Sequence, residues 1–424
     1  MSSRRNATGG VRPFATKRIR RVQLVALFAV LGPGLLAGLS DDDPAGITTY
    51  SLIGAAYGYR LLWVLGASTV ALVLFQEVNA RMGIVTGRGL AGMIRERYGI
   101  RIGFGAVLLL LVANLGTTAA EFAGIAAGMG IAGVPKYASV PIAAVLVSTL
   151  VLRGSFRRVQ QVLLVMGSLL GAYVISGVLA GPSWTQALHG LVTPSVPLNR
   201  TAILLTTATI GTTLAPWGLA FLQSYVVDKR LGLDDLRFER IDVLFGSLLT
   251  GVIGFFVVVA CSATLFASGK KITSASDAAA ALAPLAGHLA STLFAAGLIG
   301  AGLLAAAILP LSTAYSVSEA VGVPNALDRR PGEAPVFYGV YGFVVVAAAG
   351  LVLVPSAPLV PILYLSQALN AILLVPLLVL IIGLSTNRRI MGEHAVGHKH
   401  GLVLWLITAV ITVCVAALFW LTFF

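Results

Sequence analysis

Charge is scarce in this chain. Of its 424 residues only 11% are Asp, Glu, Lys or Arg, against about 25% in an average soluble domain. That leaves too little polar surface to coat soluble domains, which excludes a soluble enzyme and a disordered chain. Cysteine is nearly missing. Cys261 and Cys414 both lie inside apolar runs, so no disulfide scaffold is expected. Acids are also few, 16 against 29 Lys and Arg, giving a net charge of +13. In a soluble protein that excess points to nucleic acid, but here the charges fall between apolar runs. What is abundant is apolar: 58% of residues, with a mean hydropathy of +0.94. The remaining class is an all-α polytopic membrane protein.

An apolar stretch of about 20 residues crosses a bilayer. Eleven stretches qualify: 22–57, 62–80, 102–132, 138–152, 159–180, 201–227, 243–268, 283–317, 336–354, 358–384 and 401–424. Residues 1–21 read as a basic cytoplasmic tail, with no small-residue cleavage pattern after them. If that tail is cytoplasmic, 24 of the 29 Lys and Arg fall in loops on the same side. The other side holds only Arg60, Lys136, Arg200, Lys270 and Lys271. This asymmetry sets the expected orientation in a cell membrane, N-terminus inside and C-terminus outside. It also accounts for the basic excess through contact with the lipid bilayer, so no nucleic-acid partner is expected.

Two spans are interrupted in the same way. The first carries Asp43-Pro44-Ala45-Gly46 and the sixth carries Ala215-Pro216-Trp217-Gly218. Proline removes a backbone donor and glycine permits irregular backbone. Matching interruptions in two halves point to a transport site near the midplane, where freed carbonyls and helix ends face a cavity. The chain thus reads as five spans (22–180), five more (201–384) and a last one (401–424).

Few acids sit within spans. Asp41, Asp42 and Asp43 are central to the first, and Glu121 is deep in the third. Intramembrane charge is costly and usually functional. Three adjacent carboxylates repel one another, and a divalent cation relieves that repulsion. Asp43, next to the break, is the first candidate ligand; for Asp41 and Asp42 a water-exposed helix end is an equal alternative. No Met, Cys or His flanks either break. Soft and borderline metals prefer such ligands, whereas carboxylate, carbonyl and water suit Mg²⁺. His394, His398 and His400 read as a solvated cytoplasmic loop, and 228–242 as an ordinary connector.

With these residues in view the chain resembles the NRAMP divalent-metal transporter family. Gly32-Pro33-Gly34 before the Asp-Pro motif, Tyr57 to Val64, Gln76, Arg81 to Gly87, Ser366-Gln367 and Thr386 to Gly392 carry the likeness. The resemblance implies a LeuT-type fold of eleven transmembrane helices, two inverted five-helix repeats, with helices 1 and 6 unwound. It implies metal contact by Asp43, the Thr212 carbonyl and Gln367. The family's Gly and Asn after Asp-Pro are Ala45 and Gly46 here; its sixth-span Met and His are Ala215 and Trp217. A second sixth-span His, linked to proton movement, is Gln223, and of the third-span acid pair only Glu121 remains beside Thr118.

This pattern is similar to the NRAMP-related magnesium transporters. It implies a monomeric carrier, not an enzyme, that imports largely hydrated Mg²⁺, and Mn²⁺, by alternating access without proton coupling and without a resident cofactor. The alternative is a proton-coupled Mn²⁺/Fe²⁺ symporter of the same family.

Overall fold

Backbone polar groups in a bilayer must be bonded within their own segment, which leaves helices as the economical solution for apolar runs. The structure, a computed structural model, describes Gly38 and residues 40–152, 168–323 and 331–423. Its principal helices are α1 (Pro44–Tyr57), α2 (Leu62–Thr86), α3 (Leu90–Tyr98), α4 (Ile100–Ile131) and α5 (Lys136–Leu152). Then come α6 (Ala172–Leu179), α7 (Trp184–Val192), α8 (Arg200–Thr213), α9 (Pro216–Asp228) and α10 (Leu236–Cys261). The chain closes with α11 (Ala290–Val321), α12 (Pro335–Leu353), α13 (Leu359–Ser385) and α14 (His398–Phe423). No strand occurs among the described residues.

Among the described residues eight helices are long and apolar enough to cross a membrane, taking Arg200–Asp228 as one span across its break, and Lys136–Leu152 is a shorter ninth. Residues 22–37 of the first expected span and 159–167 of the fifth lie outside the described residues, as do Arg153, Arg157 and Arg158. The expected connector at 228–242 differs from the structure. It is helical from Leu236, so the seventh span begins earlier, and Glu239 and Asp242 are buried in its first turns. Glu239, Asp242, Val243 and Gly246 recur at helical spacing, so charge at the start of the run hid a helix whose inner face is mixed.

Packing divides the helices into groups. α4, α5, α11 and α12 pack on one another; α1, α2, α9 and α10 form a second group; α8 and α13 join them, with α14 at the edge. Small residues allow close approach, as is usual between membrane helices. A methyl built on Gly124 of α4 would lie 2.2 Å from Pro44 Cβ, so α4 presses directly on the Asp-Pro break.

The loops segregate by charge. At one end Arg81 bonds Glu77 and reaches the His394 carbonyl, Arg240 bonds Glu77, and Arg95 bonds the Ala320 carbonyl. At the other end Lys136 donates to the Val352 and Val354 carbonyls, and Trp63 to the Ser195 carbonyl. The basic loops around residues 81–95, 240 and 394 gather at the first end.

Candidate metal site

Both interruptions have the same build. Pro44 opens α1 and Pro216 opens α9, each at the first helical turn, where its missing N–H costs nothing. The residue before each proline is extended: Asp43 at φ −79°, ψ 168° and Ala215 at φ −64°, ψ 133°. This is the steric demand of proline on its predecessor. Two residues are non-helical in each case, Asp42–Asp43 and Leu214–Ala215. α1 and α8 have 14 residues and α9 has 13, so each is about 20 Å long and spans only part of a hydrocarbon core of about 30 Å.

Proline also fixes which carbonyls are freed. A helical carbonyl bonds the N–H four residues on. Four residues after Thr212 stands Pro216, and four after Ser40 stands Pro44. The α8 ladder ends with Leu214 N–H on the Ile210 carbonyl at 2.8 Å. The Thr212 carbonyl thus loses its helical donor at the break, and its hydroxyl is buried with no hydrogen-bond partner.

These groups converge on Gly46. A methyl built there would lie 2.9 Å from the Asp41 carbonyl oxygen, 3.1 Å from Thr212 Oγ1 and 3.2 Å from Asp43 Oδ1. The Asp43 carboxylate caps α1 by accepting from Gly46 N at 2.5 Å. Asp41, Asp42 and Asp43 are 2%, 4% and 3% exposed, so the water-exposed helix end is not what the fold makes of them. Both carboxylate oxygens of Asp41 and of Asp42 are buried without a hydrogen-bond partner. Asp41 reaches across to the second break: its Oδ1 would lie 3.6 Å from a methyl on Gly218, in the first turn of α9. A helix N-terminus favours negative charge there.

Glu121 faces this group from α4. It is fully buried, no N–H or hydroxyl group donates to its oxygens, and its carboxyl lies against that of Asp43, close enough for the two to share a proton. The ion pairs Arg81–Glu77, Arg88–Glu96 and Arg240–Glu77 lie elsewhere, and none touches these acids. A buried anionic group without a basic partner requires a cation or protons. No three His, Cys, Asp or Glu side chains among the described residues converge as a ready metal cage. A cation here would take oxygen from carbonyls, a hydroxyl and water as well as from Asp43.

The other candidates divide. Ala45, Ala215 and Trp217 are buried together in an apolar cluster with Phe221 and Leu304. They shape the wall and offer no side-chain ligand. Gln367 is buried, but its amide is engaged: Nε2 donates to Ser366 Oγ at 3.1 Å, and Oε1 accepts from Asn370 at 3.0 Å. Asn370 in turn bonds Thr117 on α4 at 2.9 Å. Thr118, one residue along, is buried with its hydroxyl unpartnered. Gln223 lies away from the breaks, where Nε2 donates to the Arg88 carbonyl at 2.9 Å and lies 3.0 Å from Met93 Sδ.

Sequence reasoning missed Asn370 and Thr117. Their spacing from Gln367 and Glu121, three and four residues, places each on the same face as its neighbour. That signal was present but unremarkable in polar-spotted helices.

The chain is 28% identical over 416 residues to the divalent metal cation transporter MntH of Burkholderia ambifaria, covering 95% of this chain and 91% of that one. It is 30% identical over 382 residues to MntH of Acidiphilium cryptum, covering 86% and 84%. In fold it is similar to a manganese transporter of Eremococcus coleocola, solved in complex with an aromatic bis-isothiourea compound: TM-score 0.75, 20% identity, 96% and 87% coverage. It is less similar to Mhp1, a nucleobase-cation-symport-1 family transporter, with a TM-score of 0.58, 14% identity and 92% coverage of each chain. The family model described as natural resistance-associated macrophage protein-like, Nramp, matches residues 34–421, and the chain belongs to that family.

Proposed function

We propose that this protein is a divalent metal cation transporter that imports Mg²⁺, and Mn²⁺, by alternating access. Membership of the Nramp family and the MntH relatives support divalent-cation transport. The ion preference rests on one observation: the groups gathered at Gly46 are the Asp43 carboxylate, the Thr212 hydroxyl and the Asp41 carbonyl, all oxygen, while Ala215 stands where a thioether would select soft metals. One bonded carboxylate with carbonyl and hydroxyl oxygens suits a hard ion that retains water, as Mg²⁺ does. Alternating access would proceed by two five-span repeats, 22–180 and 201–384, moving around the breaks. We place the N-terminus inside the cell and the C-terminus outside, because the basic loops share one end.

Import is read as uncoupled from protons. Gln223 cannot titrate, and Thr118 replaces one of the paired acids. Two charges moving down about 150 mV gain about 7 kcal/mol, enough to concentrate the ion without a co-ion. A second reading, proton-coupled Mn²⁺/Fe²⁺ symport, is favoured by Glu121, a buried carboxyl that lies against that of Asp43. Proteoliposomes loaded with a pH dye decide between them. Mg²⁺ uptake with no acidification supports the uncoupled carrier; metal-dependent acidification overturns it. Titration calorimetry decides the ion: Cd²⁺ binding tighter than Mg²⁺ would contradict the oxygen-ligand reading.

A further inference from the structure

A cavity of about 670 Å³ opens at the end of the bundle that carries Lys270 and Lys271. Helical periodicity fixes where it leads. On α1 it is lined by Leu52 and Ala56, seven and eleven residues beyond Ala45. On α8 it is lined by Leu205 and Thr201, seven and eleven before Thr212. On α13 it is lined by Tyr364 and Val360, three and seven before Gln367. Residues at these intervals share a helix face. The lining faces of α8 and α13 bear Thr212 and Gln367, and that of α1 bears Ala45 in the wall of the site, so the cavity stands above the candidate metal site, on the side our topology makes extracellular.

Its chemistry is the opposite of what a cation approach would need. Lys270 and Lys271 line it, and neither is ion-paired. No acid lines it. Asp277, the acid on the same loop, turns its Oδ2 to the backbone and hydroxyl groups of Thr273 and Ser274, at 2.8–2.9 Å. Those bonds hold its carboxyl below the usual range. The remaining wall is mostly apolar and partly aromatic, with Phe266 and Tyr364, and includes Thr201 and Thr273. Two unpaired ammonium groups over an apolar, aromatic-walled chamber of this size match a small organic anion.

We propose that this outer cavity is a binding site for a soluble aromatic or aliphatic carboxylate, which sets its anionic group between Lys270 and Lys271 and its apolar body against Phe266 and Tyr364, and so obstructs the cation's route. The occupant comes from the aqueous side, because the lining faces are those turned toward the site and not toward lipid. What the bound anion obstructs rests on the function proposed above; its binding does not.

Benzoate is the test probe, applied to the full-length protein in detergent without divalent metal, at constant ionic strength in chloride. Calorimetry should show saturable binding, weakened at least tenfold in Lys270→Gln/Lys271→Gln and unchanged in Asp43→Asn. Both lysines are exposed, so the double variant should fold normally. In proteoliposomes, external benzoate should slow Mg²⁺ uptake by the wild type and not by the double variant. Four results overturn the proposal: no saturable heat, equal binding by the double variant, equal binding of uncharged benzyl alcohol, or stabilisation by phosphatidylglycerol without benzoate binding. If the protein carries no Mg²⁺ at all, the calorimetric arm still decides the anion site.

Discussion

The backbone of Gln367 rests on the bare Cα of Gly211. A methyl built on Gly211 would lie 1.9 Å from the Gln367 carbonyl oxygen and 2.6 Å from the Ala371 nitrogen. Gly211 immediately precedes Thr212, so this contact between α8 and α13 fixes where the Thr212 carbonyl and hydroxyl stand. Both atoms that a methyl would meet are backbone, so no side chain can rotate away.

Gly211→Ala must therefore push α8 off α13. Overpacking of this kind costs about 1–3 kcal/mol. The variant should lower the thermal unfolding midpoint in detergent and weaken Mg²⁺ binding, although it removes no ligand. Unchanged binding by calorimetry would mean that the position of Thr212 is unimportant for the ion.

Asp43 does two jobs, and Asn separates them. Its carboxylate caps α1 through Gly46 N, and Asn caps a helix about as well as Asp. Asp43→Asn should keep the fold and the melting temperature within a few degrees. It should lower Mg²⁺ affinity at least tenfold, because the charge is lost next to a buried acidic group. Full affinity in the variant, read by calorimetry, would move the metal elsewhere.

The site's hardness should be reversible by a thioether. Ala215 is buried in the apolar cluster with Trp217, so Ala215→Met adds volume and should cost about 1–3 kcal/mol of stability. In return it should raise the affinity ratio of Cd²⁺ over Mg²⁺ at least tenfold. Gly46→Asn should behave differently. Its Cβ would meet the Asp41 carbonyl at 2.9 Å, and it should weaken both ions.

The two breaks were legible in the sequence because proline and glycine are read locally: Pro44 and Pro216 dictate both the extended predecessor and the carbonyl that loses its donor. The Thr212 carbonyl was singled out by the family resemblance, and the structure supplies its physical reason: Pro216 stands four residues on, where the helical donor would be. What the residues did not show is tertiary. Asp41 was left between the cation site and a water-exposed helix end, because its environment depends on helices far away in sequence; the fold buries it and aims it at Gly218 on another helix. Gln367 resembled a ligand, but whether its amide is available depends on Asn370 and Thr117, and the latter lies on a helix 253 residues away in sequence from Asn370. The helix hidden in 228–242 was obscured by its charges, since hydropathy windows discount a mixed face.

Glu121→Gln distinguishes the two functional readings. The carboxyl lies against that of Asp43 and interacts with it, so in an uncoupled carrier it adds negative potential and helps position Asp43 without carrying a proton across. The variant should slow Mg²⁺ uptake several-fold without abolishing it, and neither protein should acidify the vesicle lumen. A wild type that acidifies, and a variant that transports without acidifying, would establish Glu121 as a proton carrier.

Gln223 ties the second half of the broken sixth span to the turn ahead of α3. Its Nε2 bonds the Arg88 carbonyl at 2.9 Å. A methyl on Gly83 of α2 would lie 2.8 Å from the Gln223 carbonyl, so α9 is packed as well as bonded against this end of α2, where the basic loops gather. A non-titrating amide makes that bond at any pH, where an imidazole would make it conditional on its protonation. Gln223→Leu removes the donor and leaves the Arg88 carbonyl to find water, at a cost of about 1 kcal/mol. The loss is local, so global unfolding should shift little. Hydrogen exchange in residues 88–93 should speed up several-fold, because α3 is then no longer tied to α9. Gln223→His should restore protection in one pH range only, with the transition set by the imidazole. Equal exchange in wild type and Gln223→Leu would show that the bond does not hold this end closed, and that the packing of Gly83 against α9 is sufficient by itself.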